Sequence, residues 1–192
     1  MASTTTPHIH FATERVPAPW RNGGGSTSQV AIHPASAGTE DFDWRISIAT
    51  VDRDSQFSLF PGVNRWLMPL SPDGMMLRVE GETTRLAGRV AFAFGGEASV
   101  RSVNVAHTAL DLNLMVRLGF GRGSLLALII HGDTVIAAAD NEYVVIVVIE
   151  GAPSVDGITL HELDAIELEP GTDLVLAEDA VIAVARITRN ER

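Results

Sequence analysis

Arg45 and Arg65 are the residues of this chain best suited to hold a small anion. A guanidinium presents a planar fork of N–H donors that matches a carboxylate with two parallel hydrogen bonds. Arg45 stands in the cluster Trp44-Arg45-Ile46-Ser47, and Arg65 closes Pro61-Gly62-Val63-Asn64-Arg65, with Phe57-Ser58 just before it. A third cluster, Trp20-Arg21-Asn22-Gly23-Gly24-Gly25, lies upstream, and Asp111-Leu112-Asn113-Leu114-Met115 lies downstream. Trp20 offers a flat apolar face, Asn22 and Asn113 can both donate and accept, and Ser47 adds a hydroxyl. An arginine turned into a barrel is costly unless paired. Its partner is either internal, with Asp111 the first candidate, or a ligand. These residues predict one small-molecule pocket receiving Trp20, Asn22, Arg45, Ser47, Arg65, Asn113 and Met115: apolar lining with a few placed donors.

Other chemistries find less support. Ser26, Ser47 and Ser58 sit in no nucleophile-elbow pattern and have no evident base, so no catalytic residue is assigned. The glycine run lacks the Lys-Ser/Thr and the following helix of a phosphate loop. Its freedom to take positive φ fits either a tight start to a strand or a close approach to a ligand. His8-x-His10 followed by Glu14 mimics part of a metal-binding spacing. No glycine precedes the pair and no further histidine follows a turn at the expected place. His33, His107, His131 and His161 are scattered singly. The expectation is therefore no metal ligands and no cofactor.

The elements that must position these residues read as strands. Short segments alternate or run apolar, with Pro61-Gly62, Pro72-Asp73-Gly74, Gly95-Gly96 and Pro170-Gly171 as turns between them. Strands are predicted at 27–32, 44–51, 75–79, 90–94, 111–116, 125–131, 143–149, 158–163, 174–177 and 181–187, with a tail from about Thr188. Alternation puts Arg45, Ser47 and Ala49 on one face of their strand, and Trp44, Ile46 and Ile48 on the other. Likewise Asp111, Asn113, Met115 and Arg117 share a face, while Leu112, Leu114 and Val116 back onto the core. Glycine-rich residues 119–124 mark a junction, giving halves of 1–120 and 121–192. A faint repeat agrees: Val79-Glu80-Gly81 precedes Gly95-Gly96-Glu97 as Ile149-Glu150-Gly151 precedes Pro170-Gly171-Thr172-Asp173.

The chain has 192 residues, 46% of them hydrophobic, enough for one large or two small β domains. No apolar run approaches the roughly 18 residues of a membrane helix, and no secretory signal is visible at the start. There are no cysteines, so disulfide and thiol chemistry are excluded, and a cytoplasmic, bacterial-type protein is expected. Acidic residues number 24 against 14 basic ones, giving a net charge of −10, and every basic residue is an arginine. Such a surface disfavours nucleic acid and anionic membrane as partners. The lack of lysine removes Schiff-base chemistry.

The clusters at Trp20 to Gly25, Trp44 to Ser47, Phe57 to Arg65, Phe94-x-Gly96-Glu97 and Asp111 to Met115 together resemble the HutD/Ves family. Asn64 and Glu97 stand where that family often has aspartate. The resemblance implies an all-β bicupin: two cupin-like barrel or sandwich halves without the cupin metal site. It also implies a role beside histidine degradation, binding a metabolite such as urocanate or formylglutamate rather than catalysing a step. The alternative is a metal-independent isomerase or hydrolase acting on a small carboxylate, with Asp111 as its acid or base. A homodimer joined through sheet edges is the further partner considered.

Overall fold

In a computed structural model, residues 7–190 are described. Among them no α-helix occurs, and the only helical segment is a 3-10 turn at Ala12–Glu14. Among the described residues no helix is long and apolar enough to cross a membrane. The first strand is β1 (His8–His10). There follow β2 (Ala18–Pro19), β3 (Gly25–His33), β4 (Trp44–Val51), β5 (Val63–Pro69) and β6 (Met75–Val79). Next come β7 (Glu82–Leu86), β8 (Phe92–Gly95), β9 (Val100–Ser102), β10 (Ala109–Arg117), β11 (Gly121–Ile130) and β12 (Thr134–Ala137). The chain then forms β13 (Glu142–Gly151), β14 (Ser154–Val155), β15 (Ile158–Thr159), β16 (Ala165–Leu168), β17 (Asp173–Leu176) and β18 (Ala180–Arg189).

Residues 16–123 make one compact unit. Its main sheet runs β2-β3-β4-β10-β5-β8, with a smaller sheet β7-β6-β9. β4 and β10 alternate as the sequence reads: Trp44, Ile46, Leu112, Leu114 and Val116 are fully buried on one face. On the opposite face the register aligns Arg45, Met115 and Arg65 in one row, and Ser47, Asn113 and Leu67 in the next. A third row holds Thr27, Ala49 and Asp111. Apolar clusters lie at both ends of these rows. Phe42, Val63 and Met115 pack at one end. Val51, Phe57, Leu67, Met75, Leu77, Leu86 and Val100 pack at the other. The unit thus carries a polar band between two dry caps.

The start of β3 explains the glycine run. Gly23 has a φ of +68°. A Cβ on Gly24 would fall 1.5 Å from Ser55 Oγ, and one on Gly25 would fall 2.0 Å from the Thr50 carbonyl oxygen. Strand geometry alone therefore accounts for all three glycines.

The described residues up to Arg15, with those from Ser124 onward, form the second unit. Its sheet runs β1-β16-β13-β18-β11, beside the pairs β12-β17 and β14-β15. The core holds Val144, Ile146, Leu160, Ile166, Leu168, Leu176, Ile182 and Val184, with Ile9 packed against it.

The observed division corrects the expected halves at the amino end. Residues 8–10 do not join the first half, because β1 pairs antiparallel with β16 of the second unit. The boundary between the units, after Gly123, falls inside the expected junction at 119–124, although β11 already begins at Gly121. The segment 158–163 yields only the two-residue β15, and the expected tail is instead strand up to Arg189. The repeat is also unequal. Glu80 and Gly81, both at positive φ, turn β6 into β7, whereas Glu150 and Gly151 end a strand after a bulge.

Candidate functional site

Within residues 16–123 a cavity of about 530 Å³ opens onto the polar band. Trp20, Asn22, Arg45, Ser47, Arg65, Asn113 and Met115 all line it, together with Asp111, Gln56, Phe57, Ser58, Leu59 and Phe60. Three strands and two flanking segments bring them together. β4 and β10 contribute alternate side chains from adjacent strands, β5 adds Arg65 beside Met115, and the segments 18–22 and 56–60 form a wall.

Arg65 is the most constrained of these groups. It is 5% exposed, and its guanidinium lies over the rings of Phe60 and Phe94 at 5.4 and 4.9 Å. Nη1 donates to the Ser58 carbonyl at 3.0 Å and Nη2 to Asn113 Oδ1 at 3.3 Å, while the buried Nε has no hydrogen-bond partner. Burial pulls this arginine down to about 10; Asp111 opposes that shift, and the neighbouring Arg45 adds to it. Arg45 is lowered as well, by burial, and its Nε is likewise buried without a partner. Two cations thus flank Met115 in one row.

Asp111 lies fully buried behind Asn113, whose Nδ2 donates to Asp111 Oδ1 in a short hydrogen bond. Its other oxygen, Oδ2, has no partner. Burial pushes this carboxyl up to about 7, against the pull of Arg65 and of the Asn113 hydrogen bond. Arg65, Asn113 and Asp111 form a relay in which the amide spaces a cation from an acid.

Two of the expected side chains are also tied into the walls. Asn113 lines the cavity while its oxygen accepts from Arg65 and one of its two amide N–H groups donates to Asp111. Asn22 is engaged too: Oδ1 accepts from Gly24 N–H at 3.0 Å, and Nδ2 donates to the Gln56 carbonyl at 3.1 Å. Both asparagines position the walls. Trp20 donates from Nε1 to Thr27 Oγ1 at 2.7 Å and packs edge-on against Phe57, leaving its ring as lining. The chemistry open to a guest is two guanidiniums, the Ser47 hydroxyl, the remaining capacity of the two amides, aromatic and aliphatic walls, and an acid that titrates near neutrality. Phe60 and Phe94, the rings over Arg65, were absent from the expected site, although the sequence clusters contained both.

A two-unit, all-β chain built in this way is a bicupin. The HutD family model matches residues 12–185, and the chain belongs to that family. An uncharacterised 21.2 kDa protein of the hutC 3' region of Pseudomonas putida is 39% identical over 98 residues, 50% of this chain and 51% of the relative. Protein Ves of Citrobacter koseri is 38% identical over 100 residues, 51% of either chain. The chain spans about half the length of these curated relatives it matches. HutD from Pseudomonas fluorescens SBW25 is similar in structure, with a TM-score of 0.82 at 25% identity over 97% of this chain and 100% of that one.

Proposed function

We propose that this protein binds a small carboxylate metabolite and acts as an accessory or regulatory protein of histidine utilisation, with urocanate or formylglutamate as its ligand. The observation that carries this reading is Arg65: a guanidinium 5% exposed, lining a cavity, with a buried N–H lacking any acceptor. A buried cation whose only acid contact runs through an amide gains most from an arriving anion. Arg45, across Met115, supplies a second anchor for an elongated or doubly charged guest. Trp20, Phe57 and Phe60 suit an imidazole ring or an acyl chain. The pathway assignment rests on the family and on the position that the Pseudomonas putida relative's name records.

Titration calorimetry with both metabolites tests this reading. Wild-type protein should bind at least one of them, and Arg65→Ala should cost roughly 2 to 5 kcal/mol, as for truncating a buried charge pair. A wild type that binds neither, or a variant that binds equally well, overturns it. A second reading, a metal-independent isomerase or hydrolase, is favoured by Asp111, an acid at the cavity that titrates near 7. Turnover of either metabolite that Asp111→Asn abolishes without loss of binding would select it.

A further inference from the structure

His8 and His10 find a partner that their spacing in the sequence conceals. In the register of β1 with β16, His8 stands directly opposite Glu167, and His10 lies two residues along on the same face. Ile9 and Ile166, pointing the other way, pack into the core. His10 Nε2 lies 3.1 Å from Glu167 Oε2, the two imidazoles are 4.2 Å apart, and one donor atom from each residue falls within 4.8 Å of the others. Two atoms bound to one first-row cation at about 2.1 Å lie roughly 3 to 3.4 Å apart in octahedral or tetrahedral geometry. The His10–Glu167 separation already meets that requirement, and His8, exposed on the edge strand, keeps a donor within 4.8 Å of both.

The geometry points to a divalent-cation site formed by His8, His10 and Glu167, taking an ion of the zinc class. Two imidazoles and one carboxylate are the donor set that ions of this borderline softness prefer, with further positions left to water. The strand that carries the histidines is also held in place. Arg15 Nη2 donates to the His10 carbonyl at 3.0 Å and to the Leu163 carbonyl, while Ala12 N–H donates to Asp164 Oδ1 at 2.7 Å. The site lies on the face opposite the core of its unit. It runs counter to the expectation of no metal ligands, which weighed the two histidines with Glu14 and set that spacing aside. By contrast, His131 and Asp179 make a pair, 3.3 Å apart, with both side chains about three-quarters exposed.

Untagged protein titrated calorimetrically with Zn²⁺, and spectroscopically with Co²⁺, tests the site. One saturable ion per chain is expected, with a Co²⁺ d–d band that reports protein ligands. Removing a ligand should cost at least as much as losing an outer-shell partner, about 10- to 100-fold in affinity, so His10→Ala and Glu167→Gln should weaken binding by that much. His131→Ala should leave it unchanged. If His10→Ala fails to fold, His8→Ala carries the same expectation. Absence of binding at millimolar Zn²⁺, affinity unchanged in His8→Ala and Glu167→Gln, or affinity lost in His131→Ala overturns the proposal.

Discussion

Asp111 sits behind Asn113 with no exposure, and its carboxyl titrates near 7 because burial outweighs both Arg65 and the Asn113 hydrogen bond. In an unfolded chain the same carboxyl titrates near 3.9. Between about pH 4 and 7 the folded protein therefore holds a proton that the unfolded chain has released, and this group's contribution to stability falls as pH rises. Asp111→Asn should gain on wild type by up to roughly 4 kcal/mol from pH 4 to pH 8 in urea denaturation. A stability difference that stays constant with pH would contradict the buried, protonated acid. Charge also couples Asp111 to the guest, since an anion near it favours the protonated form. Carboxylate affinity should accordingly fall as pH rises through 7 in wild type and lose that slope in Asp111→Asn, as calorimetry at several pH values would show. The types and faces of Arg45, Ser47 and Met115 were legible in the sequence, whereas of Arg65 only the type was, because no strand was read around it. The roles of Asn22 and Asn113 were not, because an amide's duties depend on partners 34 and 48 residues away.

At the level of elements, reading succeeded where alternation was clean. β4 and β10 carry strict two-residue periods, so their inward and outward faces followed directly from sequence. β5 was missed although it carries Arg65: after a Pro-Gly turn and Val63 it runs through Asn64 and Arg65 and ends in a continuous apolar run. Such a strand mixes two periods and matches neither. The short β16 was also missed, and with it the partner of the two histidines. The glycine run leaned equally toward a ligand and toward a tight turn, and packing decided it. Gly25→Ala should cost roughly 3 kcal/mol in urea denaturation, as overpacking against the Thr50 carbonyl does. Gly119→Ala, with open space around its Cβ and no positive φ, should stay within about 0.5 kcal/mol. Equal effects at both positions would contradict this account of β3.

For the molecule as a whole, the net charge of −10 opposes the guest that the cavity is proposed to take. That field is long-ranged and screened by salt, with a Debye length of about 30 Å at 0.01 M and 8 Å at 0.15 M. The buried arginines act at contact, where screening is weak. Stopped-flow association of a dicarboxylate should therefore quicken between those salt concentrations while its dissociation changes little. Slower association at higher salt would mean that the local cations govern approach as well as capture. The pairing of β1 with β16 carries a consequence of its own, one of timing. His10 leaves the ribosome 157 residues ahead of Glu167, an interval of roughly 8 to 30 s at ordinary elongation rates. Residues 16–123 contain all the strands of their own two sheets and can close while synthesis continues. The other unit must keep its first strand waiting, unpaired, until β16 has been made.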